Sequence, residues 1–194
     1  MSVLGLIAAI VLFLHWPIPL YWLVVHPYVG FWRSHQKIVY ATGLLLSYLP
    51  VTLGMVLFRR ELFRPDSPPL WRVLAGLALI IFEGWIFWRV KRDLGTIRLV
   101  GKTEIAGRGE IARGGIYATI RHPRYVGSFL AILGACLLAG TLAMWVSTGV
   151  WLLLIRLAIA LEERELCARF GALYEEYCGR VPRFFPLRME PHDG

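Results

Sequence analysis

The feature that most constrains this chain is its succession of apolar runs, each long enough to cross a bilayer. Residues 3–25, 38–58 and 70–90 form three of them. A fourth stretch, 125–160, is too long for one crossing of about 20 residues and too short for two with a real loop between. The Leu-Ala-Gly-Thr sequence at 138–141 reads as a tight turn inside it, which makes it a helical hairpin. Within a bilayer every backbone N–H and C=O must find its partner in the protein, so runs of this kind fold as helices. The expected fold class is all-α, a multi-pass transmembrane helical bundle of about five spans whose fourth and fifth form the hairpin. Pro17 and Pro19 interrupt the first run and should kink it or end it early.

Composition excludes the soluble alternatives. Hydrophobic residues make up 57% and charged residues 18%, against about 45–50% and about 25% in a soluble domain. A water-soluble enzyme, a disordered tail and a coiled coil are all set aside. The net charge of +8 would suggest nucleic acid in a soluble chain, but here it follows the loops. With five spans, segments 26–37, 91–124 and 161–194 share one face and carry fifteen Lys and Arg residues, against four in 59–72. That asymmetry makes the richer face cytosolic and leaves no nucleic-acid partner to expect. The first Lys or Arg is Arg33, so the first run lacks the basic flank of a cleaved signal and reads as a retained span. Cys136, Cys167 and Cys178 are odd in number and form no CxxC pair, so neither a disulfide framework nor a metal site is expected.

Four features carry chemistry, each beside a plainer reading. Residues 107–115 form a glycine-rich loop that fits neither a dinucleotide fingerprint nor a P-loop and reads alone as a connector. Arg121-His122-Pro123-Arg124-Tyr125 stands where the fourth span begins. Pro123 suits a first helical turn and pushes His122 into a capping position. The N–H groups of that helix start, flanked by two arginines, can receive a carboxylate or phosphate, or the same residues can simply hold the span at its depth. Glu83 and Arg156 lie inside apolar runs, where each costs at least about 2.5 kcal/mol on insertion scales. They are functional candidates, or an ion pair between helices. Glu162 and Glu163 end the last span, with Glu163 on nearly the same helical face as Arg156 and Glu162 about 120° away. They are ligands for a cation, or an ordinary charged helix end.

Together these residues resemble the integral-membrane methyltransferases that include isoprenylcysteine carboxyl methyltransferases and phospholipid N-methyltransferases. The pattern is Gly115-Ile-Tyr117, then Arg121 to Tyr125 with Gly127, then Glu162-Glu163, Phe170-Gly171, Tyr174, Tyr177 and Arg180-Val-Pro-Arg-Phe-Phe-Pro186, covering about 91–186. The resemblance implies N-terminal transmembrane helices over 1–90 and a methyltransferase core over 91–194. It also implies S-adenosylmethionine as cofactor, bound from the cytosolic side beneath a lid formed by the tail. Lys102, the run Gly109, Glu110, Ile111 and Ala112, then Tyr117, His122, Pro123, Arg124, Tyr125 and Glu162 would line that site. Arg156 and Glu163 would be catalytic, Arg156 by holding the acceptor, although in the family the Arg stands one helical turn before the Glu, where this chain has Ala158. The implied acceptor is lipophilic, an isoprenylcysteine-like carboxylate first, with a phospholipid amine or a small thiol as alternatives. A non-enzymatic membrane subunit is the competing reading. Methyl transfer from a sulfonium needs orientation and a water-poor enclosure, and neither a metal nor a covalent nucleophile.

Overall fold

The computed structural model describes residues 2–64, 67–95 and 110–186, and every regular element among them is a helix. Helices α1 (Val3–His15) and α2 (Pro17–Val25) meet at Trp16, whose φ of −66° and ψ of −35° remain helical. Pro17 opens α2, where a missing N–H leaves nothing unsatisfied. The prolines therefore kink the segment without ending it. It continues through a 3₁₀ turn, His26–Tyr28, into α3 (Val29–Ser34), past the expected end at Val25. Then follow α4 (Gln36–Leu57), α5 (Arg59–Leu62), α6 (Leu70–Leu94), a second 3₁₀ turn (Gly115–Ala118), α7 (Pro123–Ala139), α8 (Leu142–Phe170) and α9 (Ala172–Arg180).

Four segments are long and apolar enough to cross a bilayer: Val3–Ser34, Ile38–Leu57, Leu70–Leu94 and Leu142–Phe170. Helix α7 is shorter, at 17 residues or about 26 Å. It is also the best buried. Helices α1, α6 and α8 pack around it, and Ala131, Ile132, Ala135 and Cys136 are fully inside. Small residues let α6 close on it: a Cβ on Gly134 would lie 2.6 Å from the Gly76 carbonyl oxygen. Helices α7 and α8 form the expected hairpin. Gly140 turns it at φ +69°, a conformation that favours glycine. The Thr141 hydroxyl accepts from the Met144 N–H (3.2 Å) to cap α8.

The outer faces carry Leu49 and Leu53 on α4, Ile81 and Trp88 on α6 and Leu153 on α8, all exposed. So much contiguous apolar surface is covered by lipid, and the protein is an integral membrane protein. A single hydrophobic cluster draws on both sides of residue 90, joining Trp22, Val25 and Val39 to Tyr125 and Trp151. At 29 residues α8 is about 44 Å long, well beyond a hydrocarbon core of about 30 Å. Its last turns project from the bundle and bring Glu162 and Glu163 level with the head of α7.

Candidate functional site

Helix α7 begins as its sequence dictates, with Pro123 first and His122 held outside helical geometry at φ −120° and ψ 53°. The residues before it are tied to the tail. The Arg121 and His122 N–H groups donate to the carbonyls of Pro182 (2.9 Å) and Arg183 (3.1 Å). The Arg121 guanidinium donates to the carbonyls of Cys178 (2.9 Å) and Val181 (2.6 Å). Tyr177 adds a bond from its hydroxyl to the Tyr117 carbonyl (2.7 Å). The chain after α9 thus lies across the head of α7, like a strap.

The two adjacent glutamates of α8 do different things. Glu163 is buried and fully engaged: its Oε1 accepts from Arg121 (3.0 Å), from His122 Nε2 (3.0 Å) and from Arg183 Nε (3.1 Å), while Oε2 takes the other Arg183 nitrogen. It joins the head of α7, α8 and the tail through charge-assisted bonds. Glu163 in turn holds the Arg183 pKa above the ordinary guanidinium value. Glu162 points the other way. Its Oε2 accepts from the Tyr125 hydroxyl (2.6 Å) and lies 4.0 Å from His122 Nδ1, and the side chain faces a cavity.

That cavity is bounded by the head of α7, the last turns of α8, α9, the 3₁₀ turn at His26 and the end of α6. Glu110, Ile111 and Ala112 line one side, and Tyr117 stands beside them. His122, Pro123, Arg124 and Tyr125 form the head, opposite Glu162. Lys102 and Gly109 lie outside the described residues. The two residues expected to be catalytic are not in its walls. Glu163 is turned into the clamp behind them. Arg156 is exposed on the outer face of α8, although an ideal helix would set it within about 20° of Glu163. The difference is height: the tail and the α7 head cover the helix at Glu163 but do not reach down to Arg156. The alternative ion pair is not formed either, because Glu83 on α6 lines a separate cavity with Arg124.

Sequence reasoning missed several walls. Trp22 and His26 come from the first apolar segment, which offered only hydrophobicity, and their rings stack at 4.9 Å. A histidine in so apolar a run was the one signal there. His26 Nε2 is buried with no hydrogen-bond partner among the described residues, a polar atom left for a ligand. Glu165 is drawn in through its ion pair with Arg33 (2.8 Å), which ties α3 to α8. Tyr174 and Tyr177 close the α9 side. Burial pushes the Tyr177 phenol up to about 12 and raises that of Tyr174 as well, so both remain neutral hydrogen-bonding groups.

The cavity therefore offers a helix start with two arginines, the Glu162 carboxylate, a ring nitrogen with no partner among the described residues and several aromatic faces. Among the described residues no group of three or more metal-ligating side chains gathers. A family profile described as "Phospholipid methyltransferase" matches residues 71–172. Methanethiol S-methyltransferase 2 of Bradyrhizobium diazoefficiens is 30% identical over 64% of this chain and 52% of its own length. Protein-S-isoprenylcysteine O-methyltransferase of Schizosaccharomyces pombe is 42% identical over 38% of this chain and 31% of its own. The nickel-cobalt-cadmium resistance protein NccN of Alcaligenes xylosoxydans xylosoxydans is 27% identical over 60% of this chain and 63% of its own. The chain thus matches about half of the first of these and about a third of the second. No solved structure matches significantly.

Proposed function

This chain belongs to the phospholipid methyltransferase family, and we propose from that premise that it transfers a methyl group from S-adenosylmethionine to an acceptor held in the membrane. The cavity at the head of α7 supports this reading through the opposite charges in its walls, Arg124 and Glu162. A methionyl group is zwitterionic, and the walls are complementary to it. The Arg124 guanidinium at the start of α7 receives the carboxylate. Glu162, which lines the cavity, receives the ammonium. Trp22, Tyr117 and Tyr125 offer ring faces to adenine and to the positive sulfur. His26 Nε2 is available to a polar group of the same ligand. When bound, the cofactor supplies a methyl on a positively charged sulfur, so the protein has only to orient, enclose and exclude water.

Within this reading Glu163 is a positioning residue. It fixes Arg121 and His122, and with them the helix start and the strap, but its oxygens are all taken. The preference for an isoprenylcysteine-like carboxylate acceptor leaned on Arg156 as its bidentate partner, and with Arg156 on the outer face the geometry gives that preference no support. The positive-inside count favours a cytosolic mouth for the cavity.

Equilibrium binding of labelled S-adenosylmethionine to the purified full-length protein tests the proposal. Binding should be saturable, weakened by about tenfold or more in Glu162→Gln and unchanged in Arg60→Ala at the opposite end. Absence of saturable binding to the wild-type protein would sink it.

A further inference from the structure

A second cavity lies deeper in the bundle, between α1, α2, α4, α6 and α7, with Leu14, His15, Tyr48, Glu83, Phe87 and Arg124 in its walls. Arg124 belongs to both cavities, so the first turns of α7 are the partition between them. The depth follows from Gly127. A Cβ there would meet the Glu83 side chain at 3.5 Å, and Gly127 stands four residues, about 6 Å, down the helix from Pro123. Glu83 is half-buried in the middle of an apolar span, and no hydrogen bond or ion pair joins it to another described residue. A carboxylate in that place is expensive unless a ligand uses it. His15 beside it is held through Nδ1 by the Ser128 hydroxyl (3.2 Å). Leu14 and Phe87 are exposed toward lipid, which gives an alkyl chain a way in.

We propose that this cavity holds the methyl acceptor and that Glu83 takes the proton its nucleophilic atom gives up, so that the acceptor is a thiol or an amine rather than a carboxylate. The inference rests on the methyl-transfer reading above. A carboxylate acceptor has no proton to lose; Arg124 is assigned to the donor's own carboxylate, which leaves Glu83 to repel a second one. A thiol or an ammonium must lose one before its lone pair is free. In the step assigned here, that proton passes to the Glu83 carboxylate and the freed lone pair of sulfur or nitrogen forms the new bond to the methyl carbon. The methyl–sulfonium bond breaks with its electron pair remaining on the donor sulfur. A methylated amine keeps the charge the sulfonium loses, and a methylated thiol ends neutral.

The test uses the purified full-length protein in lipid nanodiscs with methyl-labelled S-adenosylmethionine and, in turn, dodecanethiol, dodecylamine or dodecanoate. Label should enter the thiol or the amine, and which of them is labelled separates the two sources of the same chemistry. Glu83→Gln should lower turnover by about 100-fold or more with donor affinity unchanged, and Glu83→Asp should recover part of the loss. Without any donor, the accepted compound should raise the thermal midpoint of the wild-type protein. Gly127→Leu, which fills the cavity opposite Glu83, should abolish that rise while donor binding persists. Label in dodecanoate alone or in none of the three, or wild-type turnover in Glu83→Gln, overturns the inference and leaves the donor reading standing. Failure of the wild-type protein to bind the donor removes both.

Discussion

The two cavities share an arginine and little else. The one at the head of α7 is built from charges already locked to one another: Glu163 gathers Arg121, His122 and Arg183, and Glu165 holds Arg33. The deeper one mixes apolar side chains with His15, Tyr48 and the shared Arg124, around a single carboxylate without a described partner. Ionic frames of the first kind fix geometry, since each charge is satisfied only in one arrangement. Such a site suits a ligand that is always the same. A cavity with few ionic links of its own fixes little beyond where the reacting atom sits, and suits acceptors whose tails differ.

The sharpest way to break the contrast is Glu163→Ala. It strands the buried Arg121 and His122 side chains and the exposed Arg183, and should cost about 3–5 kcal/mol, read as a lowered unfolding midpoint together with loss of donor binding. Arg124→Ala removes the shared wall, so donor affinity and acceptor KM should both worsen, each by about tenfold or more; a change confined to one would show that the cavities are independent. Tyr125→Phe deletes the hydroxyl that orients Glu162 and should weaken donor binding by about two- to tenfold, with stability nearly untouched. The smallest effect belongs to Arg156→Ala. Turnover and donor affinity should both stay at wild-type values, and a fall in turnover alone would return Arg156 to the acceptor site.

Much of the fold was readable because membrane insertion is a local matter. Run length and apolarity set the spans, Gly140 the hairpin turn, and Pro123 the helix start beside which His122 must cap. The site was readable where its residues are neighbours in sequence, as with Glu110 to Ala112 and His122 to Tyr125. Trp22 and His26 were not, because nothing in a hydrophobic run says which of its residues will face a distant loop. Helical arithmetic also misled: it set Arg156 and Glu163 on one face, and it holds only for a straight helix with the same neighbours along its length.

Sequence alone determined that this chain is a helical membrane protein, because hydrophobic length acts on each segment separately. Only the tertiary structure decided that Glu162 faces the cavity while Glu163 clamps the strap, and that Glu83 stands across from Gly127. Those outcomes depend on which helix packs against which and at what height, and no single segment carries that information.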